Sequence, residues 1–231
     1  MPVTAARPAT AMILAAGRGE RMRPLTDRIP KPLVEAGGVP LIVHQIRALE
    51  RAGIRDLVVN LAHLGEQIRA RLGQGEALGV RIRYSEEPPG ALDTGGGIRH
   101  ALHLLGTAPF LVVNADVWTD LDLATLGLSA GDLAQLVVVP NPRHHPAGDF
   151  RLQGGRLATS GPGRAVTFAG IGVYRPELFA DLPEGSFPLA PVLRGAMARG
   201  RVGGALHRGR WYDVGTVQRL QALERHLRQV E

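Results

Sequence analysis

Apolar and polar positions in this 231-residue chain alternate between two periods, and the switches between them lay out an α/β order. The apolar run Ala11–Ala16 (AMILAA) is stopped by glycine and has the character of a buried strand. Leu41–Arg51 carries Leu41, Ile42, Ile46 and Leu49 at helical spacing and ends just before Gly53, which predicts a helix. Asp56–Asn60 (DLVVN) is a second strand, and Gly65–Leu72 is a helix with Ile68 and Leu72 on one face. Val80–Ser85 (VRIRYS) alternates, as a half-exposed strand does. Gly96–Leu105 follows as a helix behind a glycine run, and Phe110–Asn114 (FLVVN) as a buried strand.

Beyond this point the pattern turns β-rich. Leu133–Val139 and Val166–Tyr174 read as strands, with a hairpin at Phe150–Ala158 around Gly154 and Gly155. Leu189–Met197 is a helix, Val202–Leu206 a strand and Thr216–Val230 a charged final helix. Strand-helix alternation implies a Rossmann-like, mostly parallel sheet flanked by helices, here with a small β-rich insertion in the second half. Residues 1–10, rich in Pro, Ala and Thr, read as a flexible N-terminal tail, and 11–231 as a single domain without internal repeats.

Composition narrows the function classes. The longest apolar stretch is Ala11–Ala16, far short of the roughly 20 residues a membrane span needs. No signal peptide is evident, so the expectation is a cytoplasmic protein with no membrane partner. Cysteine is absent, which excludes disulfides, thiolate zinc sites and a cysteine nucleophile. The net charge is +6, yet only one of the 27 basic residues is a lysine, Lys31. Arginines are scattered, aromatics are 4%, and no nucleic-acid motif appears. Anionic small molecules therefore fit the basic balance better than nucleic acid does.

The first strand runs into Gly17-Arg18-Gly19-Glu20-Arg21-Met22. Small residues after a strand let backbone N–H groups approach a phosphate. The dinucleotide fingerprint fails, because Met22 stands at its third glycine and the second strand ends in Asn60 rather than an acid. No P-loop sequence is present.

The loop continues through Arg23-Pro24-Leu25-Thr26 to Pro30-Lys31-Pro32-Leu33. As a whole, Leu14–Leu33 resembles the signature of the sugar-1-phosphate nucleotidyltransferases, L-A-A-G-x-G-x-R-[ML]-x-P-L-T followed by P-K-P-L. The resemblance implies the nucleotide-diphospho-sugar transferase (GT-A-like) architecture. It implies Leu14, Ala15, Ala16, Gly17 and Gly19 as nucleotide contacts, with Arg21 and Lys31 as catalytic cations on the phosphates. The chemistry agrees: a nucleoside triphosphate and a sugar phosphate repel each other, and fixed cations in a dry site offset that repulsion. Lys31 lies between two prolines that restrict its backbone.

Asn114-Ala115-Asp116-Val117 sits at the C-terminal end of a strand, where open α/β sheets bind ligands. Far downstream, Trp211-Tyr212-Asp213-Val214-Gly215-Thr216 resembles the family's W-x-D-[VI]-G-T element. The resemblance implies Asp116 and Asp213 as ligands of Mg²⁺, with Asp116 also catalytic. Two carboxylates suffice for a cation that keeps phosphate oxygens and water in its octahedron.

Glu87 through Gly97 resembles the family's P-L-x-T-[AG]-G stretch at the nucleotide base, which brings in Glu87, Thr94 and Gly95. A carboxylate at Glu87 can accept a base N–H but cannot donate to a carbonyl. Pro146–Phe150 and Thr167–Val173 resemble the segments that bound the sugar, with Asn114, Gly148, Asp149, Gly170 and Asp213 as substrate contacts. The family's E-K-P lysine is missing, the sequence there being Gly163-Arg164-Ala165-Val166, and Arg164 or Arg156 could replace it. Short length, Leu-Asp-Thr-Gly-Gly-Gly and Asn-Ala-Asp-Val-Trp-Thr-Asp are most similar to the uridylyltransferases of peptidoglycan recycling. That implies UTP and a sugar 1-phosphate as substrates. Thymidylyl or guanylyl transfer is the alternative within the class, and a non-catalytic nucleotide-sugar sensor the alternative outside it. Gly127-Leu128-Ser129-Ala130-Gly131 matches a hydrolase elbow, but its expected flanking elements are reversed. Oligomeric state has no signature.

Overall fold

The computed structural model describes residues 5–90 and 92–229. Thirteen strands and five helices are defined among them. The first half comprises β1 (Thr10–Leu14), β2 (Glu35–Ala36), β3 (Val39–Pro40), α1 (Leu41–Arg51), β4 (Asp56–Leu61), α2 (Gly65–Leu72), β5 (Arg81–Glu86), α3 (Asp93–Leu105) and β6 (Phe110–Asn114). Then come β7 (Val117–Thr119), β8 (Ala134–Pro140), β9 (Phe150–Gln153), β10 (Arg156–Ala158) and β11 (Arg164–Tyr174). The chain closes with α4 (Leu189–Ala198), β12 (Val202–Leu206), β13 (Trp211–Asp213) and α5 (Val217–Leu227).

A nine-stranded sheet in the order β5-β4-β1-β6-β11-β8-β12-β10-β9 forms the middle layer. From β5 to β6 all neighbours are parallel, as the alternation implies. The sheet as a whole is mixed, because β11 lies antiparallel to both β6 and β8, and β10 antiparallel to β12 and β9. Hydrophobic patterning reports which residues are buried but not which way a strand runs, so the reversal is silent in it.

Successive strand residues point to opposite faces. Ile13, Val59 and Val113 meet Ile42, Ile46 and Leu49 of α1 and Ile68 and Leu72 of α2. Met12, Val58 and Val112 meet Ile98 and Ala101 of α3 and Leu193 and Met197 of α4 on the other side. Burial on both faces explains the continuous apolar runs of the central strands. A third cluster packs α5, through Leu220 and Leu223, against Met22, Val34 and Val214. It clamps the signature loop onto the C-terminal helix.

Several boundaries move. The first strand stops at Leu14, and Ala15 leaves the ladder to donate its N–H to the Asn60 side chain at 2.7 Å. The third helix starts at Asp93, three residues before the expected Gly96, so the glycine run lies within its first turns. The expected tail extends outside the described residues over 1–4, while Ala6 forms a β-bridge with Leu128 and Thr10 already belongs to β1. The last helix begins after Thr216, whose hydroxyl caps it by accepting from Arg219 N, and Val230 lies outside the described residues. Two short ribbons, β2–β3 and β7–β13, have no counterpart in the sequence pattern.

Candidate active site

The C-terminal ends of β1, β4 and β6 open into two adjoining cavities of about 560 and 440 Å³. The larger is walled by Leu14, Ala15, Ala16, Gly17, Gly19, Arg21, Lys31, Glu87, Thr94 and Asp116. The smaller is walled by Asp149, Gly170, Asp213, His144, Arg219 and neighbouring residues. Arg21, Asn114 and Asp116 face both.

The wall of the larger cavity is tied by a buried polar chain. Asn60, 3% exposed, accepts from Ala15 N and donates to Glu87 Oε1 at 2.7 Å. Glu87 Oε2 accepts from Leu92 N at 3.1 Å. Buried amides left unpaired would be costly, so this chain fixes the loop after β1 against the start of α3. Glu87 is therefore first a brace between two segments, and it also lines the cavity.

The glycine loop folds back over Lys31. Gly19 has φ +68°, and a Cβ there would lie 3.0 Å from Lys31 Cβ. Thr26 Oγ1 holds the turn by donating to Gly19 O at 2.8 Å. Lys31 opens a single turn of 3-10 helix between Pro30 and the buried Pro32, and its ammonium pairs with Asp116.

The β7–β13 ribbon brings both aspartates to the smaller cavity. Asp213 is paired in register with Val117, and Val214 N donates to Asp116 O at 2.8 Å. The two acids, remote in sequence, thus stand on neighbouring residues of one antiparallel ribbon. Asp116 is neutralised by Lys31, and Asp213 by Arg219 at 2.5 Å, with His144 Nε2 3.8 Å away. Among the described residues no group of three or more acidic or histidine side chains is poised for a metal. Two carboxylates on one cavity wall are nevertheless a donor set that a hard dication completes with water and phosphate oxygens.

The floor of the smaller cavity is a bulge in β11. Its register with β8 shifts between Phe168 and Gly172, and Gly170 sits at φ +75°. A Cβ on Gly170 would lie 2.7 Å from Asn114 Nδ2, so the bare backbone makes room for that amide. Asp149 accepts from Phe168 N at 2.8 Å and bonds His145 at 3.0 Å, which pins the loop before β9 to the bulge.

Most residues expected from the sequence converge here. Two do not line the cavities. Gly95 lies behind the larger one, where a Cβ would come 2.6 Å from the Phe187 ring, so it serves packing. Gly148 lies beneath the smaller, against Asn141 and Val166 O. Arg156 and Arg164 do not reach the site either. Arg156 is held by both oxygens of Asp132, each at 2.8 Å, and that pairing raises its pKa. Arg164 is exposed at the start of β11 and lines neither cavity. Sequence reasoning missed Asn60, His144, Gly215 and Arg219. Of these, Arg219 had one signal: it lies in the first turn behind Thr216, next to the Trp-Tyr-Asp element.

Comparison with known proteins agrees with this geometry. The family model described as "Nucleotidyl transferase" matches residues 10–150. The chain is 53% identical over 220 residues to the N-acetylmuramate alpha-1-phosphate uridylyltransferase of Neisseria meningitidis serogroup B, covering 91% of this chain and 95% of that one. It is 37% identical to the protein of the same name in Caulobacter vibrioides, covering 95% and 97%. The fold superposes with a TM-score of 0.83 on a Bacillus anthracis protein assigned as a glucose-1-phosphate thymidylyltransferase, in complex with a sucrose, at 20% identity and 96% coverage of each. With its signature loop, its paired aspartates and these relatives, the chain belongs to the nucleotidyl transferase family.

Proposed function

We propose that the protein transfers a uridylyl group from UTP to N-acetylmuramate α-1-phosphate, releasing pyrophosphate and forming the UDP-sugar. The observation that carries this reading is the sharing of Arg21, Asn114 and Asp116 between the two cavities. It puts a donor lobe and an acceptor lobe edge to edge over a cluster of fixed charges. The acceptor and the base are taken from the two relatives, each similar over nearly its full length. The reading implies work in cell-wall recycling, in the cytoplasm where UTP is found. No described helix is long and apolar enough to cross a membrane.

In this reading the loop Leu14–Gly19 holds base and ribose in the larger cavity. Arg21 offsets charge on the departing pyrophosphate, and Lys31 screens the phosphates as they approach. The acceptor phosphate oxygen attacks the α-phosphorus, the bond from that phosphorus to the bridging oxygen breaks, and pyrophosphate leaves with the electron pair. No covalent enzyme intermediate is required. Asp116 and Asp213 would hold Mg²⁺, which supplies charge neutralisation at the α-phosphate. Asn114 and Asp149 orient the sugar against the bulge.

A matrix of nucleoside triphosphates against sugar 1-phosphates, read as pyrophosphate release, tests the reading. UTP with N-acetylmuramate 1-phosphate should give the highest kcat/KM. A higher value for dTTP or GTP, or for a neutral sugar, would replace the proposed substrates. Absence of release across the whole matrix would favour a sensor.

A further inference from the structure

We infer that Arg219 binds the phosphate of the incoming sugar 1-phosphate. The inference rests on reading the two cavities as donor and acceptor sites. Among the described residues, no lysine or arginine of the β-rich insertion lines either cavity. Neither sequence candidate supplies one: Arg164 is exposed away from the cavities, and Arg156 is consumed by Asp132.

The cation comes instead from the first turn of α5. Thr216 Oγ1 accepts from Arg219 N, which fixes the backbone there. The side chain is only 20% exposed and faces the smaller cavity. Its Nη1 is held by Asp213 and by His144 Nε2 at 3.1 Å. A guanidinium has five N–H donors, and those contacts leave Nη2 and Nε to other acceptors.

Gly215 reports where Nη2 points. A Cβ built there would lie 2.6 Å from Arg219 Nη2 and 2.8 Å from Arg21 Nη2. Gly215 itself lines the larger cavity. Two guanidinium groups therefore flank one backbone point at the junction of the lobes. Arg21 has no ion-pair partner among the described residues. Arg21 and Arg219 thus converge where the attacking oxygen must come closest to the nucleotide. A phosphate monoester dianion answers that pair of guanidinium groups, and bidentate geometry favours arginine for it. Arg21 is thereby left to the donor side and Arg219 to the acceptor side.

The test compares the parent enzyme with Arg219→Gln, Arg219→Lys and, as control, Arg164→Gln. For Arg219→Gln the KM for sugar 1-phosphate should rise about 10- to 100-fold, the loss expected for a charged hydrogen bond, while the KM for UTP stays within about twofold. Arg219→Lys should recover part of the loss, and Arg164→Gln should match the parent. Calorimetric binding of N-acetylmuramate 1-phosphate and of N-acetylglucosamine 1-phosphate should weaken by the same factor, because both carry the phosphate. Equal rises in both KM values would overturn the assignment, as would a change confined to the divalent-cation midpoint, which marks a residue that only holds Asp213. Selective loss of the acidic sugar would also overturn it, moving Arg219 to the sugar's carboxylate. If the parent turns over a different sugar 1-phosphate, the proposed acceptor falls, and the Arg219 comparison is decided with the acceptor actually used.

Discussion

The two cavities are built by opposite strategies. The larger is walled mainly by one continuous stretch, from Leu14 to Pro32, laid across the ends of parallel strands. Its braces are buried: Asn60 is 3% exposed and ties three segments with hydrogen bonds. The smaller is assembled from β6, the β11 bulge, the loop before β9, the β13 strand and α5. Its charged side chains are partly exposed, and His144, His145 and Arg219 bond mainly to one another and to aspartates. A prebuilt wall suits a donor whose triphosphate and ribose recur across a family. A wall of long-range polar contacts suits an acceptor that varies, because one side chain can change without moving a strand.

The sharpest way to break this contrast is at Lys31, which lines the larger cavity and pairs with Asp116, a residue of both lobes. A guanidinium in its place would have to fit under Gly19 and beside Asp116 in the space of a compact ammonium. Lys31→Arg should lose about 10²- to 10³-fold in kcat, the range for removing one preorganised charge contact. Its melting temperature should stay near the parent's. Pyrophosphate release and a thermal melt check both. An active arginine variant would show that any cation serves here.

Two smaller lesions, one per lobe, sharpen the contrast. Asn60→Ala leaves Ala15 N without its buried partner and frees Glu87, at about 1–3 kcal/mol of stability. It should raise the KM for UTP more than that for the acceptor. Gly170→Ala forces a left-handed non-glycine residue and drives a methyl toward the Asn114 amide, again at about 1–3 kcal/mol. It should raise the acceptor KM and spare UTP. Melts and separate KM measurements decide, and identical kinetic signatures would mean that the lobes are not independent.

The same contrast explains what was legible beforehand. Leu14–Lys31 is local, so its spacing is preserved in one dimension, and every residue expected there is found at the larger cavity. Asp116 and Asp213 could be named from their motifs, but their meeting depends on a three-residue ribbon too short to show a period. Asn60 drew attention only as the wrong residue for a dinucleotide fold. Its role needs Ala15 and Glu87, which lie far from it along the chain and come together only across parallel strands. Arg219 was one arginine among many, marked only by its place in the first turn behind Thr216. The direction of β11, which makes the sheet mixed and shapes the acceptor lobe, is likewise set by tertiary pairing rather than by its own residues.

The smallest expected effect concerns one histidine, His44. His44, on α1 beside the turn that follows the Lys31 loop, bonds Ala36 O at 2.9 Å. Burial pushes its pKa below the ordinary 6.5, the hydrogen bond to Ala36 O opposes that, and the charges of Arg47 and Arg51 push it further down. The unfolded chain therefore takes up a proton at His44 at a higher pH than the folded one. Stability from this group is present above pH 6.5 and declines as pH falls through that value. His44→Gln keeps an N–H for Ala36 O and removes the titration. Its melting temperature should fall less than the parent's between pH 7.5 and 5.5. A His44→Gln slope equal to the parent's would place the acid sensitivity of the fold elsewhere.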